Sequence, residues 1–210
     1  MNVNQRKEIT EELWNAYSHG IGVVLSLFGA IWLLTTTKEN LLLPLTIYAI
    51  SLVLLFTAST VYHSVYNPDI KFKLRKLDHI SIYYLIAGTY TPICLSILKP
   101  SLGILLLVLV WGIAILGTIL KLWFTGKYEV ISLVLYGIMG WLVVIDFDFI
   151  LQNEITDFTY LAIGGIFYTV GILFYANKRI PFNHFIWHIF VLMGAACHWY
   201  FIYKEVVLKY

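Results

Sequence analysis

The chain reads as an all-α integral membrane protein: a bundle of seven transmembrane helices with its N-terminus in the cytoplasm and its C-terminus outside. Three observations lead there. First, 60% of the 210 residues are hydrophobic and only 12% are charged, against roughly 25% charged in a soluble domain. With a mean hydropathy of +0.81, the chain has more apolar surface than a core of this size can hide, so the bilayer must solvate the rest. Second, seven apolar stretches follow one another at about 19–37, 44–63, 79–98, 101–120, 129–146, 159–177 and 183–203. Each is near the ~20 residues that cross about 30 Å of hydrocarbon. Third, the joining segments alternate in charge. Arg6, Lys7, Lys71, Lys73, Arg75, Lys76, Lys121, Lys127, Lys178 and Arg179 fall on one side, ten of the fourteen basic residues. Positive charge is retained on the cytoplasmic side, which fixes the orientation, and an odd number of spans puts the termini on opposite sides.

Taken in order, residues 1–18 are expected to form a cytoplasmic interfacial segment. Ile9, Leu13 and Tyr17 recur at helical spacing, which suits a short helix lying in the interface. No short apolar region with a small-residue cleavage site precedes the first span, so that span is expected to act as an uncleaved insertion signal. Pro44 and Pro181 stand where spans begin. HSVYNPDIKFKLRKLDH reads as a basic loop between spans two and three. Pro92, after Gly88, should kink span three or free a carbonyl. Span five is the shortest, and the acidic DFDFILQNEITD follows it on the outer side. Cys94 and Cys197 lie in apolar runs and read as packed free thiols. No repeat or linker divides the chain, so 1–210 is one domain, expected in the cell membrane.

Polar residues inside these spans carry the functional reading. His19 opens span one, Ser59 and His63 close span two, Asp78 and His79 open span three, and His184 and His188 open span seven. All lie at the cytoplasmic ends. Five of six histidines thus share one depth, contributed by four helices, and ionisable groups in spans face the bundle interior and mark function. His184 and His188, four apart, share a helix face one turn apart, and such a pair can hold one metal ion. Zinc suits imidazole nitrogen, with three protein ligands and an open position in catalytic sites. His63 is best placed as the third ligand. Ser59, one turn before it, faces the same pocket, and Asp78 can accept from a ligand imidazole or from water at the metal. His198 lies ~15 Å further along its helix, too far out to join them. Glu12, Asn15 and His19 fall on one helical stripe beside Ser18 and read as a polar cap under the metal site.

Taken together, E-x-x-N-x-x-S-H (Glu12, Asn15, Ser18, His19), S-x-x-x-H (Ser59, His63), Leu77-Asp78, and H-x-x-x-H with a later His-Trp (His184, His188, His198, Trp199) resemble the motif set of the hemolysin III family. This is the bacterial arm of the group that contains the adiponectin and membrane progestin receptors. The resemblance covers essentially the whole chain, with the motifs in order. It implies seven helices, N-terminus in and C-terminus out, and an intramembrane zinc near the cytoplasmic face. It implies His63, His184 and His188 as ligands, Asp78 near the metal water, and Ser59 beside it. The wider superfamily includes alkaline ceramidases, which implies lipid amide hydrolysis. The long N-terminal domain of the eukaryotic receptors is lacking here and the outer loops are short, so nothing argues for a protein-hormone receptor.

Three functions compete. One is a zinc-dependent hydrolase of a lipid amide or ester, with Asp78 as general base then acid and Ser59 steadying the oxyanion. The second is a zinc-stabilised, non-catalytic sensor or regulator of membrane state. The third is a pore-forming cytolysin, for which the residues give no basis. Haem ranks well below zinc as a cofactor. Membrane lipids are the expected partners, and no nucleic acid is expected.

Overall fold

The computed structural model describes residues 3–152 and 156–210, with side chains from residue 5 onward in the first helix. Glu154, part of the acidic outer segment, lies outside the described residues, as do Met1 and Asn2. The described residues are mainly helical, joined by short turns, with no strand among them. The helices are α1 (Val3–Thr36), α2 (Glu39–Ser64), α3 (Pro68–Leu95), α4 (Gly103–Phe124), α5 (Glu129–Trp141), α6 (Phe147–Gln152), α7 (Thr159–Ala176) and α8 (Asn183–Phe201). A 3-10 turn, Leu142–Asp146, joins α5 to α6, and a π-helical turn, Ile202–Val207, extends α8. Six segments are long and apolar enough to cross a membrane: Gln5–Thr36, Glu39–Ser64, Gly103–Phe124, Glu129–Gln152, Thr159–Ala176 and Asn183–Val207.

The remaining long helix, α3, is the central one. Its residues from Asp78 to Cys94 are nearly all buried, and they include Ser81, Thr89, Tyr90 and Thr91. A helix walled by other helices need not present aliphatic side chains to lipid, so it carries small and hydroxylated residues instead. The outer helices show the converse: Phe28, Val108 and Leu173 stand exposed on their flanks, as a lipid-facing surface requires.

Two expectations about local structure change. Residues 8–17 do not form a separate helix. They are the opening turns of α1, which runs unbroken for 34 residues. No proline interrupts the segment, and Gly20 and Gly22 pack against Thr60 and Phe56 on α2, so the helix continues into the bundle. Nor is the basic segment a loop. Asn67 Oδ1 accepts from the amides of Asp69 and Ile70 at 3.1 and 3.2 Å, and Pro68 occupies the first helical position. This is a strong helix start, and it makes Lys71 to Lys76 the first turns of α3.

Other ends are fixed as firmly. Tyr90 Oη donates to the Gly140 carbonyl at 3.3 Å and accepts from the Val143 amide at 2.9 Å, drawing backbone groups out of the α-helical ladder where α5 tightens to 3-10. Asp146 accepts from Ser101 Oγ and the Leu102 amide, holding the turn before α4. α3 runs through Pro92 and ends three residues later. Lys38, just after α1, donates to the Tyr210 carbonyl at 2.8 Å. The C-terminus therefore lies at the end of the bundle opposite to the start of α1. Cys94 and Cys197 are free thiols.

Candidate metal centre

The site forms where α1, α2, α3 and α8 meet at the end of the bundle that carries the basic segment. Asn183 sets the start of α8. Its amide donates to the carbonyls of Phe174 and Tyr175 at 3.3 and 2.8 Å, tying the end of α7 to the first turn of α8. Phe182 turns the chain there through a left-handed conformation, φ 55°. His184 follows at once, its ring edge-on to Tyr175. Lys178, in the same connection, sits 4.2 Å over the Tyr175 ring. Burial, then the neighbouring Arg75 guanidinium, hold its ammonium below the usual lysine range.

His63, His184 and His188 come together. One ring nitrogen from each lies within 4.8 Å of the others, and the rings stand edge to face, with centroids 4.7–5.0 Å apart. Second partners decide which nitrogen each presents. His63 Nδ1 lies 2.8 Å from Glu12 Oε2. His188 Nδ1 lies 3.2 Å from the Asn15 carbonyl and 3.1 Å from Ser18 Oγ. A carboxylate and a carbonyl accept only, so Nδ1 carries the proton in both rings and Nε2 is left bare. His63 Nε2 is buried with no hydrogen-bond partner. Three compact imidazoles, two with bare Nε2 atoms and their Nδ1–H groups bonded to oxygen, are a donor set, with outer support, that could hold a metal ion. The residues present fit the ion.

The polar stripe on α1 touches the histidine cluster, though not by the atoms its residue types suggest. Asn15 works through its carbonyl, which also accepts from Ser18 Oγ at 2.9 Å, while its side-chain oxygen is buried without a partner. His19 stacks flat on His188, centroids 3.6 Å apart and planes within 11°, and stands edge-on to Phe56. Neither of its ring nitrogens has a partner.

Ser59 and Asp78 are both buried. The Asp78 carboxyl lies near Ser59, whose hydroxyl is buried without a hydrogen-bond partner. Both line a cavity of about 250 Å³, together with His19, His79, His184 and His188 at its polar end. Beyond them the walls are apolar, including Leu85, Ile86, Leu133, Phe158 and Ile172. Trp141, Val144 and Phe147 line the same cavity and are exposed on the flank of the bundle, so it reaches the surface there. Trp141 Nε1 donates to Thr169 Oγ1 at 2.9 Å across that flank.

Two other histidines stand apart from the cluster. His198 lies beyond it on α8, bonded through Nε2 to the Leu161 carbonyl at 3.1 Å and edge-on to Tyr168. His79 places Nδ1 3.7 Å from Glu129 Oε2, and Glu129 in turn pairs with Arg75 and Lys121. Sequence reasoning missed Asn183 and Glu129. An asparagine opening a helix after a short connection was the available signal for the first; Glu129 gave none.

Comparison with known proteins places the chain in a family. A family model described as Haemolysin-III related matches residues 7–199. The chain is 42% identical over 193 residues to a Hemolysin-3 homolog of Bacillus subtilis, covering 90% of this chain and 91% of that one. It is 40% identical over 193 residues to Hemolysin-3 of Bacillus cereus, covering 90% and 88%. It is 33% identical over 206 residues to the human Monocyte to macrophage differentiation factor, covering 92% and 84%. The match spans the α1 stripe, the histidine cluster and every apolar segment between them. The chain belongs to the haemolysin-III-related family and is a multi-pass protein of the cell membrane.

Proposed function

We propose that this protein is a zinc-dependent hydrolase of a lipid amide or ester, crossing the membrane seven times with the metal site near the cytoplasmic face. The observation that carries the reading is the position of the histidine cluster: His184 and His188, which converge with His63, line a cavity beside Ser59 and Asp78 whose walls are mostly apolar and which reaches the flank of the bundle. α3 supplies the seventh crossing, and the Lys38–Tyr210 contact supports termini on opposite sides. The basic residues clustered at the site end support a cytoplasmic placement.

His63, His184 and His188 would hold the ion. When bound, zinc supplies Lewis acidity, polarising a carbonyl and making water acidic near neutral pH. The chain's own residues do the rest. Asp78 takes a proton from the attacking water as the new C–O bond forms. It returns that proton to the leaving nitrogen or oxygen as the old bond breaks. Ser59 donates a hydrogen bond to the oxygen that gains charge. The apolar walls hold an acyl chain and keep bulk water from the carbonyl.

Purified protein loaded with zinc and assayed in detergent against ceramides and a panel of other lipids should turn one class over. A chelator or His188→Ala should abolish the turnover. Zinc bound without turnover on any lipid class would point to the second reading, a non-catalytic zinc clamp that senses membrane state. One observation favours that alternative: α2 and α8 pack little against each other directly, α1 packing on both, so an ion held by His63, His184 and His188 would be their main link.

A further inference from the structure

His63 is the penultimate residue of α2 (Glu39–Ser64). A helix end is where the backbone frays, because the last carbonyls have no partner in the helix. A ligand placed there loses its geometry unless something holds that turn. Lys71, from the first turns of α3, reaches this point. Its Nζ lies 2.8 Å from Glu12 Oε2, the same oxygen that accepts from His63 Nδ1. It also donates to the carbonyls of Tyr62 and Val65 at 3.2 and 3.3 Å, one residue before and two residues after the ligand. The Tyr62 ring lies beneath it at 4.7 Å, and that ring also packs on the His63 imidazole, centroids 4.5 Å apart. One ammonium thus grips the backbone on both sides of His63 and the carboxylate that fixes its ring.

We infer that Lys71 is a positioning residue for the metal site, acting through Glu12 and the end of α2 to hold His63 with Nε2 presented to the ion. The inference rests on the zinc reading above. Without the ammonium, the carboxylate is free to leave the imidazole for solvent, since Glu12 is partly exposed, and the ring can rotate or change tautomer. The other lysines of this segment do not take this place. Lys76, for example, donates to the Leu122 carbonyl at the end of α4.

The experiment is zinc binding by the purified full-length chain, read by competition with a chromogenic chelator, beside the melting temperature of the metal-free protein. Outer partners of ligand histidines are worth 10- to 100-fold in metal affinity. Glu12→Ala should therefore weaken zinc by about 10- to 100-fold, Lys71→Met by about 10-fold, and Lys71→Arg should restore binding. Lys73→Met, a neighbour outside the contact, should bind as the parent does. A cap that served only the fold would lower the metal-free melting temperature and leave zinc affinity unchanged, which overturns the proposal. So does unchanged affinity in both Glu12→Ala and Lys71→Met. If Lys71→Met does not fold, Glu12→Ala and Glu12→Gln decide alone, with nitrogen-15 histidine spectra reading whether His63 keeps its proton on Nδ1; retention of that state in Glu12→Ala overturns the proposal. Failure of the parent chain to bind zinc removes the metal site itself, an outcome distinct from parent-like binding by the variants.

Discussion

At the scale of single residues, the sharpest division is between groups that would hold a metal and groups that would act beside it. Asp78 is buried, lies near Ser59 and lines the cavity with His184 and His188, but it is outside the set of nitrogens that converge. Asp78→Asn keeps the shape and removes the ability to carry a proton. Zinc stoichiometry, measured by elemental analysis, should stay at the parent value, while turnover falls by roughly 100- to 10,000-fold, the usual worth of general acid–base catalysis. Loss of zinc in this variant would make Asp78 a ligand and undo its proposed role. The convergence of the three histidines was legible: spacing paired His184 with His188, and topology brought His63 to them. The supports were less so. Glu12 and Ser18 lay on a visible stripe, but Asn15 contributes a backbone carbonyl, which no side-chain pattern reports. Lys71 looked like one more basic residue among several, because its partners are brought to it by helix packing alone.

At the scale of helices, the apolar stretches marked where membrane-crossing segments run but not where helices begin. α1 and α3 both extend well beyond their apolar parts, and hydropathy is silent about a helix once its residues turn polar. Asn67–Pro68 is a helix-start signal, but the segment was read for its charge, as a basic loop. Contacts between helices were not legible at all, since they depend on which face meets which. The α7–α8 pair shows the consequence. A Cβ built on Gly171 would stand 2.7 Å from the Trp187 ring and 2.8 Å from Phe190 Cβ, whereas one on Gly112 of α4 meets nothing within 4 Å. Gly171→Leu should therefore cost about 1–3 kcal/mol by overpacking. Gly112→Ala should be neutral or gain up to ~1 kcal/mol from helix propensity. Thermal unfolding in detergent would separate the two. Equal melting temperatures would mean that α7 and α8 do not pack through this glycine. Disturbance here would also reach the site, since Trp187 lies between His184 and His188 in the chain.

At the scale of the whole molecule, composition and the spacing of apolar stretches made a polytopic helical bundle readable from the start. The central place of α3 was not readable, because which helix the others wall in depends on packing that no single stretch reports. The proposed orientation rests on charge and connectivity together. The end that gathers His63, His184 and His188 also carries Lys71, Arg75, Lys121 and Lys178, and α1 begins there. The opposite end holds Lys38 against the Tyr210 carbonyl. If basic residues stay in the cytoplasm, the proposed orientation puts the N-terminus inside, the C-terminus outside and the histidine cluster at the inner face. Cysteine labelling tests this directly. With Cys94 and Cys197 replaced by alanine, Lys7→Cys and Leu208→Cys each give one thiol near an end of the bundle, and both positions are exposed. A membrane-impermeant maleimide added to intact cells should label Leu208→Cys and spare Lys7→Cys until the cells are permeabilised. Labelling of both thiols in intact cells, or protection of both, would put the termini on one side, and α3 could then no longer be counted as a crossing. Labelling of Lys7→Cys alone would keep seven crossings but turn the site to the outer face, where an enzyme would meet the lipids of the other leaflet.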